Sequence, residues 1–167
     1  MKRHIILLIA FVLMSAQLFA QTPVYLTKAY KPVESDRYTA YSSLEIQGGD
    51  TWNNCFTLGV INNYHGHATF NIGGKYESIS FILGAEKSNG GNDPNIVQIH
   101  ADGKRIFDYV LRDGDLGQQF TLNISGVDKL EFSLVKPEVE PAFCEVALWT
   151  KGQTPHDLSE KNNPEVK

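Results

Sequence analysis

Aromatic, amide and imidazole side chains cluster at two places in the first half of the chain. One group is Trp52 with Asn54, and the other is Tyr64 with His65 and His67. An aromatic ring can pack on the C–H surface of a pyranose, while amide and imidazole groups bond its hydroxyls. These five residues are the candidate ligand-binding residues, expected in loops at one end of the domain. The alternatives are a division into two half-sites, because the loops flank one predicted strand, and a packed Trp52 beside a solvated Tyr64 loop.

Metal binding receives weaker support from the residue pattern. His65 and His67 alternate and would share one face of a strand, but two imidazoles need a third ligand that the sequence does not indicate. An exposed pair is the favoured interpretation, and we predict no bound metal there. An oxygen-rich loop with Ser88, Asn89, Asn92, Asp93 and Asn95 would suit calcium, but its spacing matches no EF-hand. We therefore expect a surface turn and no cofactor, with calcium as the alternative.

No arrangement typical of catalysis is present. The sequence has no GxSxG motif and no recognisable Ser-His-Asp set, and nothing distinguishes the two carboxylates that glycoside hydrolysis requires. We therefore predict a protein that binds without catalysing a reaction.

The two cysteines, Cys55 and Cys144, lie far apart and lack CxxC spacing. In an exported protein they can persist as a disulfide, which is the predicted state. The alternative is two buried thiols. Alternation leaves the question open, since Cys144 alternates with Val146 and Leu148, and an inward face for these two residues would turn Cys144 inward as well.

Residues 1–20 have the layout of a cleaved signal peptide. Lys2 and Arg3 precede the apolar run Ile5–Met14, and Ala20 precedes Gln21, the expected first mature residue. We therefore predict export to the periplasm or the extracellular space, with no membrane span in the mature chain. The net charge is −4 and the basic residues are scattered, which argues against a nucleic-acid partner.

The elements that must position these residues are short strands. Runs with period-two alternation are separated by turn residues, and Asp102–Gly103 suits a two-residue hairpin turn. About ten strands, the first at Val24–Ala29, predict an antiparallel β-sandwich or jelly roll over residues 21–151. Lys31–Ser42 is expected to be irregular, and the polar tail 152–167 to be disordered. The predicted core comprises Phe81, Leu83, Ile99, Phe120, Leu122, Ile124, Leu130, Phe132 and Leu134.

The order of several short motifs resembles a known family. They are Pro23–Thr27, Thr51–Asn54, Ala68–Tyr76, Ala101–Lys104 and Leu122–Leu130. In this order and spacing they resemble the NPCBM family, the novel putative carbohydrate-binding modules. The resemblance covers roughly residues 23–150.

Membership of this family would imply a galactose-binding-like jelly roll that binds a glycan or a cell-surface polysaccharide without catalysis. The chain departs from the family pattern in two places. In the last strand, Cys144 and Val146 stand where members often carry Trp and Asp, and extra residues occur around 62–67. The alternative functions are therefore a protein-interaction or structural sandwich that has lost the sugar site and, more weakly, a small glycan-active enzyme.

Overall fold

The computed structural model describes residues 22–61, 64–87, 94–135, 139–155, 157 and 158. The predicted signal peptide lies outside the described residues. One helical turn, α1, spans Leu26–Ala29. The strands, β1 to β13 in chain order, are Val24–Tyr25, Glu34–Asp36, Tyr38–Glu45, Thr51–Leu58, Val60–Ile61, Tyr64–His65, His67–Asn71, Ser78–Ala85, Asn95–Ala101, Lys104–Leu111, Gln118–Asn123, Lys129–Leu134 and Pro141–Trp149.

Two antiparallel sheets pack face to face. The first has the order β11-β8-β13-β4-β3, with β1 added alongside β13, and the second has the order β10-β9-β12-β7-β2. Strands β5 and β6 pair only with each other among the described residues. Because a sheet must bury its apolar face against another layer, the inward side chains of both sheets form the main core. This architecture confirms the predicted antiparallel sandwich.

The predicted core is largely correct. Phe120 and Leu122 are half-buried, and the other predicted core residues are buried. The two-residue turn is also present, with Asp102 at φ 48° and Gly103 at φ 79° joining β9 to β10. The Asp102 carboxylate accepts hydrogen bonds from the backbone N–H groups of Asp128 and Lys129, which ties this turn to β12.

Two local predictions were wrong. The run Val24–Ala29 is not one strand, because it turns into α1 at Leu26, whose side chain is fully buried in the core. The segment Lys31–Ser42 is not irregular, because β2 and most of β3 lie within it. Strand β3 is mostly exposed, so its side chains lack the apolar alternation that would have identified it.

A change of phase in β13 decides which way its side chains point. Phe143 faces the main core, and the pairing with β8 is irregular between Cys144 and Ala147. Glu145, at φ 48°, is the extra residue of this bulge. Val146 therefore faces the main core again, while Cys144 faces the other side of the sheet.

The phase change brings the Cys144 side chain to the same side of the sheet as Cys55. Cys144 and Cys55 form a disulfide between β13 and β4, with their Cα atoms 4.0 Å apart. The β13–β4 ladder pairs Ala142 with Thr57 and Phe143 with Phe56, so the disulfide continues that register by one residue. The predicted disulfide is confirmed.

The polar tail differs from its prediction in the part that the structure describes. The Leu158 side chain is fully buried, and its backbone N–H donates a 2.7 Å hydrogen bond to Gln119 Oε1 on β11. Leu158 therefore lies on the outer face of the first sheet. One apolar residue in a polar run was the sequence feature that this prediction overlooked.

Replacement of Phe132 tests the main core. Its buried ring makes edge contacts with Phe56, Phe70 and Phe143. Phe132→Ala should lower the free energy of unfolding by about 3–5 kcal/mol, because it leaves a cavity among aromatic rings that cannot collapse. Chemical denaturation would measure this loss, and Phe132→Leu should lose less. A loss for Phe132→Ala below about 1 kcal/mol would contradict the placement.

Removal of the disulfide tests the link between β4 and β13. The bond joins residues 89 apart, and closing so long a loop stabilises by about 4–5 kcal/mol in the chain-entropy model. The double variant Cys55→Ala/Cys144→Ala should lose about that much in urea unfolding. Wild-type protein unfolded under reducing conditions should show a similar loss. Equal stability of oxidised wild type and double variant would contradict the prediction.

Candidate functional site

The structure separates the five predicted ligand-binding residues. Trp52 on β4 faces outward from the first sheet, where it joins a cluster distinct from the main core. His67 on β7 faces outward from the second sheet, because its neighbour Ala68 belongs to the main core. These two residues thus lie on opposite outer surfaces of the sandwich. Tyr64 and His65 form β6, paired with β5. No single site can combine all five.

Trp52 belongs to a buried group on the outer face of the first sheet, here called the outer cluster. Cys55, Ile82, Ala142 and Cys144 point outward because Phe56, Phe81 and Phe143, their neighbours along the strands, face the main core. Two half-buried side chains, Tyr41 and Leu44, pack at its border. The buried members are Ile46, Trp52, Cys55, Ile82, Ala142, Cys144 and Leu158.

A pocket of about 570 Å³, here called the Trp52 pocket, opens beside the outer cluster. Its described lining combines an indole with amide, hydroxyl and carboxylate groups, and it includes one carboxylate and no cationic side chain. β11 supplies the central polar groups, because Gln119 and Thr121 alternate with the inward-facing Phe120 and Leu122. The lining residues are Trp52, Ile82, Gly117, Gln118, Gln119, Thr121, Pro155 and Asp157.

Gly117 shapes this pocket by having no side chain. A Cβ atom there would lie 2.6 Å from Ile46 Cδ1 and 2.9 Å from Ile82 Cγ2, closer than real Cβ contacts. It would also lie 3.6 Å from the Trp52 Nε1 atom. The indole nitrogen therefore lies next to the glycine wall of the pocket. That nitrogen is buried and has no hydrogen-bond partner among the described residues.

An unpaired buried donor is costly, at about 1–3 kcal/mol. Trp52 is only 6% exposed, so in this arrangement it does not present an open ring face on which a sugar could stack. Trp52 contributes its unpaired N–H group to the wall of the pocket. Sequence reasoning selected Trp52 but missed the remaining lining residues. The polar positions of β11 that alternate with Phe120 and Leu122 were the available signal.

Asn54 makes a buried hydrogen bond between two strands of the first sheet, β4 and β13. It is 6% exposed, and its Nδ2 atom donates a 3.2 Å hydrogen bond to Glu145 Oε2 on β13. Both residues have positive φ angles, 53° and 48°, and Asn is one of the few residue types that adopts such angles readily. The pair lies one position beyond the disulfide. Asn54 does not line the Trp52 pocket.

His67 lines a smaller depression of about 310 Å³, here called the second-sheet trough. Register places Thr69 between Glu34 and Glu131, while Ser133 is opposite His67. The His67 Nε2 atom lies 3.8 Å from Glu34 Oε1. No Phe, Tyr or Trp side chain is among the described residues that line the trough: Glu34, His67, Thr69, Glu131 and Ser133. Its groups can bond hydroxyls, and among these residues the only ring is the His67 imidazole.

Carboxylates meet at one end of the sandwich, where Glu86 and Glu140 interact. The Glu86 backbone N–H donates to the Glu140 carbonyl oxygen, and the two side chains are hydrogen-bonded. Burial, the negative charge of Glu140 and that hydrogen bond raise the pKa of Glu86. No group of three His, Cys, Asp or Glu residues able to hold a metal ion occurs in the described part of the chain. In the oxygen-rich loop that was predicted to be a surface turn, the candidate residues other than Asn95 lie outside the described residues.

Asn95 itself is fully buried at the start of β9, and its Nδ2 atom donates a 2.8 Å hydrogen bond to the Val139 carbonyl oxygen. Within the described ranges, no helix has the length and apolar character needed to cross a membrane.

Comparison with known proteins agrees with this fold. The sequence profile of the NPCBM/NEW2 domain matches residues 15–152. No curated protein sequence matches the chain. The profile match ends before Pro155, Asp157 and Leu158, so part of the Trp52 pocket lies outside the matched residues.

Three solved structures have similar folds. One, the M60 catalytic domain with the CBM51-1 and CBM51-2 domains from Clostridium perfringens ZmpB, is 15% identical, with a TM-score of 0.63 over 78% of this chain and 15% of that one. CBM51 from Clostridium perfringens GH95, in complex with methyl-galactose, is 13% identical, with a TM-score of 0.60 over 76% and 99%. The tandem CBM51 modules of Sp3GH98, a family 98 glycoside hydrolase from Streptococcus pneumoniae SP3-BS71, are 12% identical, with a TM-score of 0.62 over 81% and 49%.

At these identities the likeness establishes the fold. The chain spans 15% of the first structure and about half of the third, which are larger proteins.

Replacement of Glu86 tests the carboxyl pair. A carboxyl whose pKa is raised in the folded state binds its proton more tightly there than in the unfolded chain. Its contribution to stability is therefore full at pH values below the ordinary carboxyl pKa of about 4.3, and it is lost as pH rises through the raised pKa. Glu86→Gln keeps a neutral hydrogen-bonding group and should be more stable than wild type at pH 7.

The measurement is the thermal midpoint between pH 4 and pH 8. The difference between Glu86→Gln and wild type should shrink as the pH falls, because protonation makes the wild-type side chain neutral as well. Glu131→Gln on the second sheet controls for the loss of one negative charge. A pH-independent difference, or one matched by the control, would contradict this assignment.

Proposed function

Since the chain belongs to the NPCBM/NEW2 domain family, we propose that it is an exported, non-catalytic module that binds a neutral saccharide in the Trp52 pocket. The family and the galactose-binding-like fold support carbohydrate binding in general. The observation that carries the choice of site is the unpaired, buried N–H of Trp52 beside the Gly117 wall of a polar pocket.

The chemistry of the lining suits sugar hydroxyls. Gln118 and Gln119 place amide groups on the lining, Thr121 a hydroxyl and Asp157 a carboxylate, and these are types of group that bond sugar hydroxyls. An acceptor on a ligand that reaches the Trp52 N–H would relieve the cost of burying it unpaired. The carboxylate of Asp157, with no cation among the described lining residues, disfavours acidic sugars and favours neutral ones.

The disulfide supports the proposed export. Disulfides persist in the periplasm and outside the cell, whereas cytosolic thiols are kept reduced. The bond between Cys55 and Cys144 therefore agrees with the predicted removal of residues 1–20 in an oxidising compartment. The family match and the likeness to a CBM51 module solved with methyl-galactose are the reasons for proposing binding alone.

A paired substitution tests both the function and the choice of site. Methyl-galactose is the first probe, because it is the ligand of one structurally similar module. Thr121→Ala, at an exposed position on β11, should weaken binding about 3–10-fold, the loss expected for one hydrogen bond. Trp52→Phe, which removes only the N–H and part of the ring, should weaken it at least as much. Isothermal titration calorimetry measures both.

Thr69→Ala is the matched control, because it removes the same hydroxyl from the second-sheet trough on the opposite surface. It should leave the affinity within about twofold. If Thr69→Ala weakens binding and Thr121→Ala does not, the site lies in the trough and the proposal for the Trp52 pocket is wrong. A glycan array without any hit for the folded, oxidised protein would reject carbohydrate binding itself.

A further inference from the structure

The C-terminal segment, meaning here the described residues 152–155, 157 and 158, lies against the outer face of the first sheet. Leu158 is fully buried in the outer cluster with Trp52, and its N–H bonds Gln119 on β11. Pro155 and Asp157, on the same segment, line the Trp52 pocket. The pocket is therefore bounded on one side by β11 and on another by a part of the chain beyond the residues matched by the family profile.

We propose that this segment completes the ligand site, so that Pro155 and Asp157 form a wall held in place by Leu158, and that ligand affinity depends on its docking. The inference rests on the proposed function, because it concerns the same pocket. Its content is different, since it assigns ligand contact to residues outside the matched domain.

The contacts place the anchor and the wall close together. Asp157, which lines the pocket, is the neighbour of Leu158, which packs in the outer cluster. At the other end of the segment, a turn is held by the backbone N–H of Gln153 to the Thr150 carbonyl and by the N–H of Thr150 to Gln153 Oε1. The segment is thus fixed at its two ends, and its middle faces the pocket.

Docking also covers Trp52. With Leu158 in the outer cluster, Trp52 is 6% exposed and its N–H has no partner among the described residues. Burying that donor unpaired weakens the docked state of the free protein. A ligand bound between β11 and the segment would contact both walls and supply the missing acceptor. Ligand binding and docking of the segment should then favour each other, as linkage requires.

Two truncations of the oxidised protein form the experiment. One ends after Gln153 and removes the wall and its anchor, and the other ends after Leu158 and keeps both. The first should bind methyl-galactose at least 10-fold more weakly than the full chain, and the second within twofold of it. Leu158→Asp in the full chain should behave like the shorter truncation.

Acrylamide quenching of tryptophan fluorescence reports docking without any ligand. The chain has two tryptophans. Trp149 is fully buried and donates a 2.8 Å hydrogen bond to Ser80 Oγ, so it should stay protected in every variant. Truncation after Gln153 should expose Trp52 and increase quenching at least twofold, while truncation after Leu158 should not. The increase should be absent in a Trp52→Phe background.

The outcomes separate this inference from the proposed function. Unchanged quenching after truncation at Gln153 would show that the segment does not cover Trp52, and the inference would fail. Increased quenching with unchanged or tighter binding would also overturn it. Unchanged binding would mean that the segment does not affect affinity, and tighter binding would mean that the segment blocks the pocket. A full-length protein that binds no saccharide would reject the proposed function, and the quenching data would still decide whether the segment docks.

Discussion

Strand β13 is buried on both faces along its entire length, and the arrangement of the first sheet depends on covering it. All nine residues of Pro141–Trp149 are buried. An antiparallel sheet usually leaves one face to water, so a strand of this kind needs an apolar layer on each side. The main core supplies the inner layer. On the outer side, the outer cluster covers the first half of the strand, where Ala142 and Cys144 belong to it together with the buried Leu158 of the C-terminal segment.

The bulge at Glu145 changes which side of the sheet the following residues of β13 face. It lets Cys144 point to the outer layer while Val146 and Leu148 return to the inner one. The bulge buries a carboxylate, which is unfavourable without partners, and the amide of Asn54 provides one of them. Removing the Asn54 amide would leave Glu145 with fewer bonds in the same buried position. Asn54 thereby supports the strand pair that the disulfide joins.

The outer layer also carries the proposed ligand site. Burying one leucine stabilises by about 1.5–3 kcal/mol, while ordering each residue of a segment costs about 1–2 kcal/mol. The burial of Leu158 is therefore one contribution to docking of the C-terminal segment, and the unpaired Trp52 N–H opposes it. A bound ligand that pairs this N–H would favour the docked segment. The second-sheet trough has no comparable element, because all its described lining residues lie on paired strands.

Much of the fold could be predicted from the sequence, because alternation assigns faces wherever a strand is uninterrupted. Phe81, Phe132 and Ile99 follow that rule and are buried as expected. The hairpin turn at Asp102–Gly103 could also be predicted from the sequence, since a two-residue turn requires positive φ angles that these residues tolerate. The family resemblance rested on motifs of this kind, and the profile match over residues 15–152 confirms it.

The location of the proposed site depends on the tertiary structure. Alternation gives relative faces within one strand and says nothing about which sheet a strand joins, so Trp52 and His67 could be grouped in sequence and yet lie on opposite surfaces. The bulge residue Glu145 is not a glycine and left no local signal, and the phase change there fixes the face of Cys144, which alternation had left open. Leu158 is one apolar residue in a polar tail, and its burial depends on an outer cluster whose other buried members come from β4, β8 and β13 and from Ile46.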